Sequence, residues 1–482
     1  MPQILTRNQQ HGFLYEQVVA QVNQMIARNT LCVGDRLPSL RKMSKQLNVS
    51  IATVMQAYVQ LEGQGLVETR PQSGFYIKSR PVAEPSLPKP TRPLPLPRRI
   101  QFGDDISSLF SLANVPGVIP LGVANPAHEL LPSKGLTRAL KKVASLRPVE
   151  TMSYCYPPGD FGLRRQIAYR SMERGVNLGP DDFIITTGAT EALSISLQAV
   201  ARPGDAIAVE SPTYFCLLQI IKRLGMMAVE ISTDPDSGLC VDSLAQALDT
   251  VDIKAVISVA NFNNPTGALI PDTNKKAILD ILAKKQIPLI EDDIFGDLHF
   301  SQTRPHTFKA FDAEGLVLTC SSFSKTIAPG YRVGWVSPGR YFEPVLQLKQ
   351  LVSSATASIP QLTIAEFLRS GLYERHLMRL RRAYREQLEQ LRLAVAESFP
   401  KGTRLTRPQG GFVLWVQLPR GVDAMDLHAD ALKQHISVTP GTIFSATGKY
   451  RNFIRLCAGS PWDEKMADGV VRLGQLAQAL TS

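Results

Sequence analysis

Apolar residues recur at helical spacing near the start of the chain. Leu14, Val18, Val22, Met25 and Ile26 form one stripe, which predicts an amphipathic helix. The text GDRLPS then supplies a turn, and Ser39 is placed to cap a second, short helix carrying Leu40, Met43 and Leu47. Asn48-Val49 reads as a tight turn, and Ser50 caps a third helix whose Val54, Ala57, Tyr58 and Leu61 share a face. This is helix-turn-helix spacing. After Gly65 the period shortens to two: LVETR and FYIKS flank Pro71-Gln72-Ser73-Gly74 and predict a hairpin, or wing, beside the helices.

Periodicity stops between Ser79 and Ile100, where SRPVAEPSLPKPTRPLPLPRRI holds seven prolines. That is the composition of a semi-rigid, polyproline-like spacer, which at roughly 3.1 Å per residue could span on the order of 60 Å. It divides the chain into a head (1–78), a linker (79–99) and a body (100–482). In the body, strand-like runs FIITT, AIAVE, AVISV, IPLIE, LVLTC and RVGWV alternate with helix-like stretches such as EALSISLQAVA and KKAILDILAKK. Such alternation predicts an α/β fold, a mostly parallel sheet with helices on both faces. From Tyr373 a long charged helix and then GGFVLWVQL suggest a smaller second lobe. The large lobe is expected at about 150–365 and the small one at about 366–482.

With 44% hydrophobic and 20% charged residues, a chain of 482 residues has the composition of a globular protein of two or three domains. No apolar run approaches the ~20 residues of a membrane-spanning helix, and MPQILTRNQQHG lacks an apolar signal core, so a cytoplasmic location without membrane contact is expected. The six cysteines lie far apart with no CxxC pair, which predicts reduced thiols and neither a metal site nor a disulfide framework. Charge adds a direction: of the formal +11, residues 1–80 carry +5 and residues 81–100 carry +3. A polyanionic partner for the head follows.

The residues with chemistry cluster just past strand-like runs, where open α/β sheets bind ligands. FIITT leads into Gly188-Ala189-Thr190 at a helix start, a place for phosphate. AIAVE leads into SPTY, AVISV into NFNNPTG, IPLIE into Asp292-Asp293, and LVLTC into SSFSKTIAPGYRVGW. Singly, each has a bland explanation, a turn glycine, a β-turn or a surface lysine; their ordered occurrence does not.

That ordered set resembles the fold type I, class I/II aminotransferase-like proteins that bind pyridoxal 5'-phosphate, over roughly residues 100–482. The resemblance implies that Lys325 of SFSK is the catalytic, Schiff-base lysine and that Asp292 pairs with the pyridine nitrogen. It implies that Asn264 donates to the ring's phenolic oxygen and that Tyr214 stacks on the ring. Gly188, Ala189, Thr190, Ser322 and Arg332 would grip the phosphate, with Arg332 as a bidentate fork. Tyr154 would be lent across a homodimer interface to the neighbouring phosphate, and Arg455 of FIRLC would hold an amino acid's carboxylate. One position departs from the pattern. Phe295 stands where many aminotransferases have a tyrosine, removing a hydrogen bond to the phenolic oxygen and weakening the expectation of efficient transamination.

Residues 12–78 are similar to GntR-type winged helix heads through VGDRLPS, RKMSKQLNVS, TV followed by AY, LEGQG and RPQSG. Head and body in this order resemble the MocR group of GntR regulators. That implies binding of double-stranded DNA by a two-fold protein, with Ser50, Thr53 and Gln56 of the third helix near the major groove and Arg41, Lys42, Lys45, Arg70 and Gln72 at phosphates or groove edges. Ile51 replaces an arginine that many such heads carry; it either meets a thymine methyl group or packs. The expected function is a pyridoxal-phosphate-dependent transcriptional regulator that senses an amino compound or the cofactor itself. An amino acid aminotransferase with an accessory head is the alternative.

Overall fold

A computed structural model describes residues 14–28, 30–63, 66–70, 73–77, 85–100 and 117–481, and the chain divides into two compact units, one of residues 1–84 with 389–397, which contains the head, and one of residues 85–388 with 398–482, the body. In the head, α1 (Leu14–Ala27), α2 (Leu40–Leu47) and α3 (Ile51–Gly63) precede the antiparallel pair β1 (Val67–Arg70) and β2 (Gly74–Ile77). The predicted stripes are the core: Val18, Val22, Ile26, Met43, Leu47, Val54, Ala57, Tyr58 and Leu61 are all buried. At about 1.5–3 kcal/mol for each large apolar side chain, they are what hold so small a unit together. Ser39 caps α2 by accepting from Lys42 N at 3.3 Å, and Asn48 ends the helix at φ +53°. The Ser50 Oγ caps α3 by accepting from Thr53 N at 3.0 Å.

Pro85–Ile100, expected as part of a free spacer, runs along the body instead. Arg98 and Ala228 exchange backbone hydrogen bonds of 2.9 and 3.0 Å, and Thr91 bridges Thr233. Leu405 N also donates to Ser86 O at 3.1 Å. Residues 79–84 of the linker lie outside the described residues.

The body's main sheet contains β3 (Ile184–Thr186), β4 (Ala206–Ser211), β5 (Met227–Asp234), β6 (Gly238–Leu239), β7 (Ile253–Ser258), β8 (Leu289–Asp292), β9 (Val317–Ser322) and β10 (Gly334–Ser337). Their order is β3-β10-β9-β8-β7-β4-β5-β6. From β9 through β5 neighbours are parallel, whereas β10 runs antiparallel to β3 and β9. The strands read as continuous apolar runs because helices cover both faces. One such helix, Ala189–Val200, packs Ala192, Leu193, Ile195 and Leu197 into the same core as Ile207, Ile257, Ile290 and Leu318.

The long helix spans Leu372–Ser398, and beyond it β11 (Arg404–Leu405), β12 (Val413–Gln417), β13 (Thr439–Pro440) and β14 (Phe453–Cys457) make a second, antiparallel sheet. The segment after Gly117 joins this lobe early: Ile119 bridges Ile436, and Gly122 O accepts from Arg455. Among the described residues, no helix is long and apolar enough to cross a membrane. Nor does any group of three or more His, Cys, Asp or Glu there have a metal-binding arrangement.

Candidate functional site: a cavity in the body and a basic face on the head

Strand ends from both sheets open onto one cavity of about 600 Å³, lined by Ala189, Thr190, Tyr214, Asn264, Asp292, Ser322, Lys325, Arg332 and Arg455 among others. The run Glu291-Asp292-Asp293 shows how the strand period sorts like residues. Glu291 accepts from Phe308 N and the Thr319 hydroxyl, and Asp293 is paired with Arg304 and hydrogen-bonded to Asn261. Asp292 lies between them on the opposite face, at the cavity, and its carboxylate accepts from Ile294 N at 3.1 Å. Burial, with Asp293 adding to it, pushes its carboxyl up to about 7. A carboxylate so placed is suited to a ligand N–H⁺.

Lys325 follows β9. Its Nζ donates to Ala124 O at 2.7 Å, and burial first, then the Arg455 guanidinium, bring the amine down to about 8. A larger share of it is the free nucleophile at neutral pH than for an ordinary lysine.

Gly188 sits at φ +80° before the helix Ala189–Val200, where free backbone N–H groups face the cavity end. A Cβ there would fall 2.5 Å from the Arg332 guanidinium, so only glycine lets Arg332 close over the helix start. Arg332 Nη1 is 3.5 Å from the Ser324 hydroxyl, and Nη2 donates to Thr187 O at 3.4 Å. Ser322 Oγ accepts from Ser324 N at 3.3 Å. These groups place a guanidinium, a hydroxyl and the first N–H groups of a helix together at one end of the cavity.

Arg455 is buried on β14, not a surface residue. Its guanidinium donates to Asn264 Oδ1 at 3.2 Å and Thr439 Oγ1 at 3.1 Å, while its Nε is buried without a hydrogen-bond partner. Because Asn264 accepts through Oδ1, its amide nitrogen is the end left for a donor role. Tyr214 is half-buried on the wall, and burial holds its hydroxyl well above the usual tyrosine range. Phe295 is buried edge-on against Phe412 with centroids 5.3 Å apart, and it presents no hydroxyl. Tyr154 stands apart from the cavity, 75% exposed and stacked on Tyr156.

On the head, Arg41, Lys42, Lys45 and Gln56 are exposed, and no ion pair among the described residues involves these three cations. The Ser50 and Thr53 hydroxyls lie 2.8 Å apart and serve the helix cap. Arg70 donates to Glu68 at 2.8 Å and lies 4.3 Å over the Tyr76 ring. Ile51 is 48% exposed, so it is not packed in the core. Gln72 lies outside the described residues.

Residues 116–473 match the family model for class I and II aminotransferases, and residues 14–77 that for bacterial regulatory proteins of the GntR family. The HTH-type transcriptional regulator YjiR of Escherichia coli (strain K12) is 37% identical over 461 residues, covering 96% of this chain and 98% of the relative. The chain belongs to the MocR group of GntR-type regulators. YdcR, another HTH-type transcriptional regulator of the same organism, is 34% identical over 96% of this chain and 99% of its own length. Among solved structures, LysN, the α-aminoadipate aminotransferase from Thermus thermophilus complexed with N-(5'-phosphopyridoxyl)-L-leucine, matches with a TM-score of 0.73 at 28% identity. That match covers 80% of this chain and 96% of that one.

Several parts of this MocR-type cavity left no mark in the sequence pattern. Gly122, Ala124 and Asn125, which meet Arg455 and Lys325, come from an irregular segment without period, and Thr439 lies in a two-residue strand. Cys216 also lines the wall, where burial pushes its thiol up to about 11. The pattern of SPTYFC gives no hint of that position.

Proposed function

We propose that the body holds pyridoxal 5'-phosphate in this cavity and that an amino compound captured there changes how the head binds operator DNA. The observation that carries this reading is the convergence of Lys325, Asp292, Arg332 and Arg455 on one cavity in a chain that also carries an exposed basic helix-turn-helix face. The residues fit the group on their own chemistry. A glycine-made cradle under Arg332 suits a phosphate, a buried carboxylate suits a pyridinium, and a lysine brought down to about 8 suits an aldehyde.

When bound, the cofactor supplies an electron-withdrawing ring and an aldehyde carbon that takes amines. The residues do the rest. Arg332, Ser322 and the first N–H groups of Gly188-Ala189-Thr190 hold the phosphate. Asp292 would hold a proton on the ring nitrogen, Asn264 would offer its amide to the phenolic oxygen, and Tyr214 would stack on the ring. Lys325, its amine lowered to about 8, would be the residue that holds the cofactor through its aldehyde. Arg455, with one nitrogen unused, takes the carboxylate of an amino acid. Phe295 leaves one fewer donor at the phenolic oxygen, which favours holding and sensing over rapid turnover.

In a homodimer the exposed Tyr154 would be lent to the neighbouring subunit's phosphate, and paired heads would meet paired half-sites. Arg41, Lys42 and Lys45 approach phosphates, with Gln56 at the groove, Gln72 on the wing, and Ser50 and Thr53 setting the start of the recognition helix. Arg70 contacts DNA once released from Glu68. A path from cavity to linker is contiguous: Thr91 lies 2.7 Å from the Tyr450 hydroxyl, which lies 2.9 Å from the Ser211 hydroxyl, three residues before Tyr214.

The test is a visible absorbance spectrum of purified protein with a panel of amino acids and amines, beside a gel shift on the DNA upstream of its own gene. An amine that moves both the band and the DNA affinity supports a sensor. Complete conversion with release of a keto acid, and DNA binding that is absent or indifferent, supports the aminotransferase instead.

A further inference from the structure

The outer face of α3 is apolar where a groove-reading helix usually offers polar donors. Ile51 is 48% exposed, Met55 43% and Val59 49%, at positions i, i+4 and i+8 on one side, while Val54, Ala57, Tyr58 and Leu61 fill the core on the other. That stripe is about 12 Å long at 1.5 Å per residue, the length of three to four base pairs. The polar groups beside it are largely committed: Ser50 and Thr53 bond each other, and Ser50 Oγ also caps the helix. Gln56 is the remaining exposed hydrogen-bonding side chain of the first two turns.

The neighbouring helix α2 says what this face meets. Arg41, Lys42 and Lys45 are exposed there without ion pairs among the described residues, a footing for phosphate that a hydrophobic protein partner would not match. In the major groove the one apolar feature on a base edge is the thymine C5-methyl group. Recognition helices present their N-terminal residues to base edges, which are Ile51 and Met55 here.

We infer that Ile51 and Met55 determine operator specificity by packing on thymine methyl groups, with Gln56 supplying the direct hydrogen-bond readout. This rests on the DNA-binding reading above. An operator half-site should therefore carry thymines at the positions beneath the first two turns of α3, and guanine there should be disfavoured for want of a donor.

The experiment uses full-length protein and a duplex recovered by selection from a randomised pool. Each thymine is replaced in turn by uracil, which keeps the base pair and removes only the methyl group. Fluorescence anisotropy should show two positions per half-site where uracil weakens binding roughly fourfold, the equivalent of ~0.8 kcal/mol for one methyl group at ~1.4 kcal/mol per tenfold. That penalty should vanish at one position in Ile51→Ala and at another in Met55→Ala. Both side chains lie outside the core, and circular dichroism should be unchanged. Tight binding that no uracil weakens, or a uracil penalty equal in wild type and both variants, overturns the assignment while leaving DNA binding intact. If no duplex is recovered, the DNA-binding reading and this inference fall together.

Discussion

The head and the body place their chemistry in opposite ways. The head puts its apolar residues inside and leaves its cations outside: Tyr58 and Val54 are fully buried, while Arg41, Lys42 and Lys45 stand in solvent. The body does the reverse at its cavity, burying a carboxylate and a guanidinium and drawing an amine partly out of water. The cost shows in Asp292 being pushed up and Lys325 down. A surface of solvated cations recognises a polyanion of any sequence, and burial tunes single groups for one small ligand. A sensor needs both, and their separation into two units lets each be broken alone.

The sharpest break is at the lysine. Lys325→Ala should abolish the lysine-linked absorbance of the bound cofactor entirely, with circular dichroism and cofactor-free DNA affinity unchanged. A persisting band would remove Lys325 from its role.

On the other side, Tyr58→Ala empties the centre of the head and strands Pro38 O, which accepts from the Tyr58 hydroxyl at 2.8 Å. A loss of about 3–5 kcal/mol is expected for so large a truncation, enough to unfold the head. DNA binding should disappear while the cofactor spectrum stays. If the spectrum were lost as well, the two units would not be independent.

Arg455→Ala should weaken capture of an amino acid on the order of 10- to 100-fold, the value of a charge-assisted hydrogen bond of about 1.5–3 kcal/mol. Capture of the matching amine without a carboxylate should change little. Equal losses for both ligands would make Arg455 structural. The pH course sharpens the same site. Because Lys325 is lowered to about 8, cofactor uptake by the cofactor-free protein should rise about tenfold from pH 7 to a plateau, with a midpoint near pH 8. An unperturbed lysine would place that midpoint at about 10.4.

The smallest effect belongs to the head's surface. Replacing Lys42 and Lys45 by Ala should weaken binding to all sequences alike and flatten the log–log salt dependence by about 1 for each residue that meets a phosphate. An unchanged slope would move the DNA-facing side elsewhere.

Much of this was legible in the chain's own text because it is local. The stripe from Val18 to Ile26, the Ser39 cap and the Val54–Leu61 face depend on neighbours three or four residues away, and the apolar strands of the body depend on alternation and length alone. The residues of the cavity were nameable too, since each follows a recognisable strand in a recognisable order. What tertiary structure decided is everything that depends on long-range meeting. Asp292 rather than Asp293 faces the cavity because β8 is registered between β7 and β9. Arg455 is buried against Asn264, 191 residues away. Gly122, Ala124 and Asn125 acquire partners only when their irregular segment joins the small lobe, and Pro85–Ile100 lies along β5 where Arg98 exchanges backbone hydrogen bonds with Ala228. Periodicity encodes which side of an element is buried; it carries no information on which element will cover it.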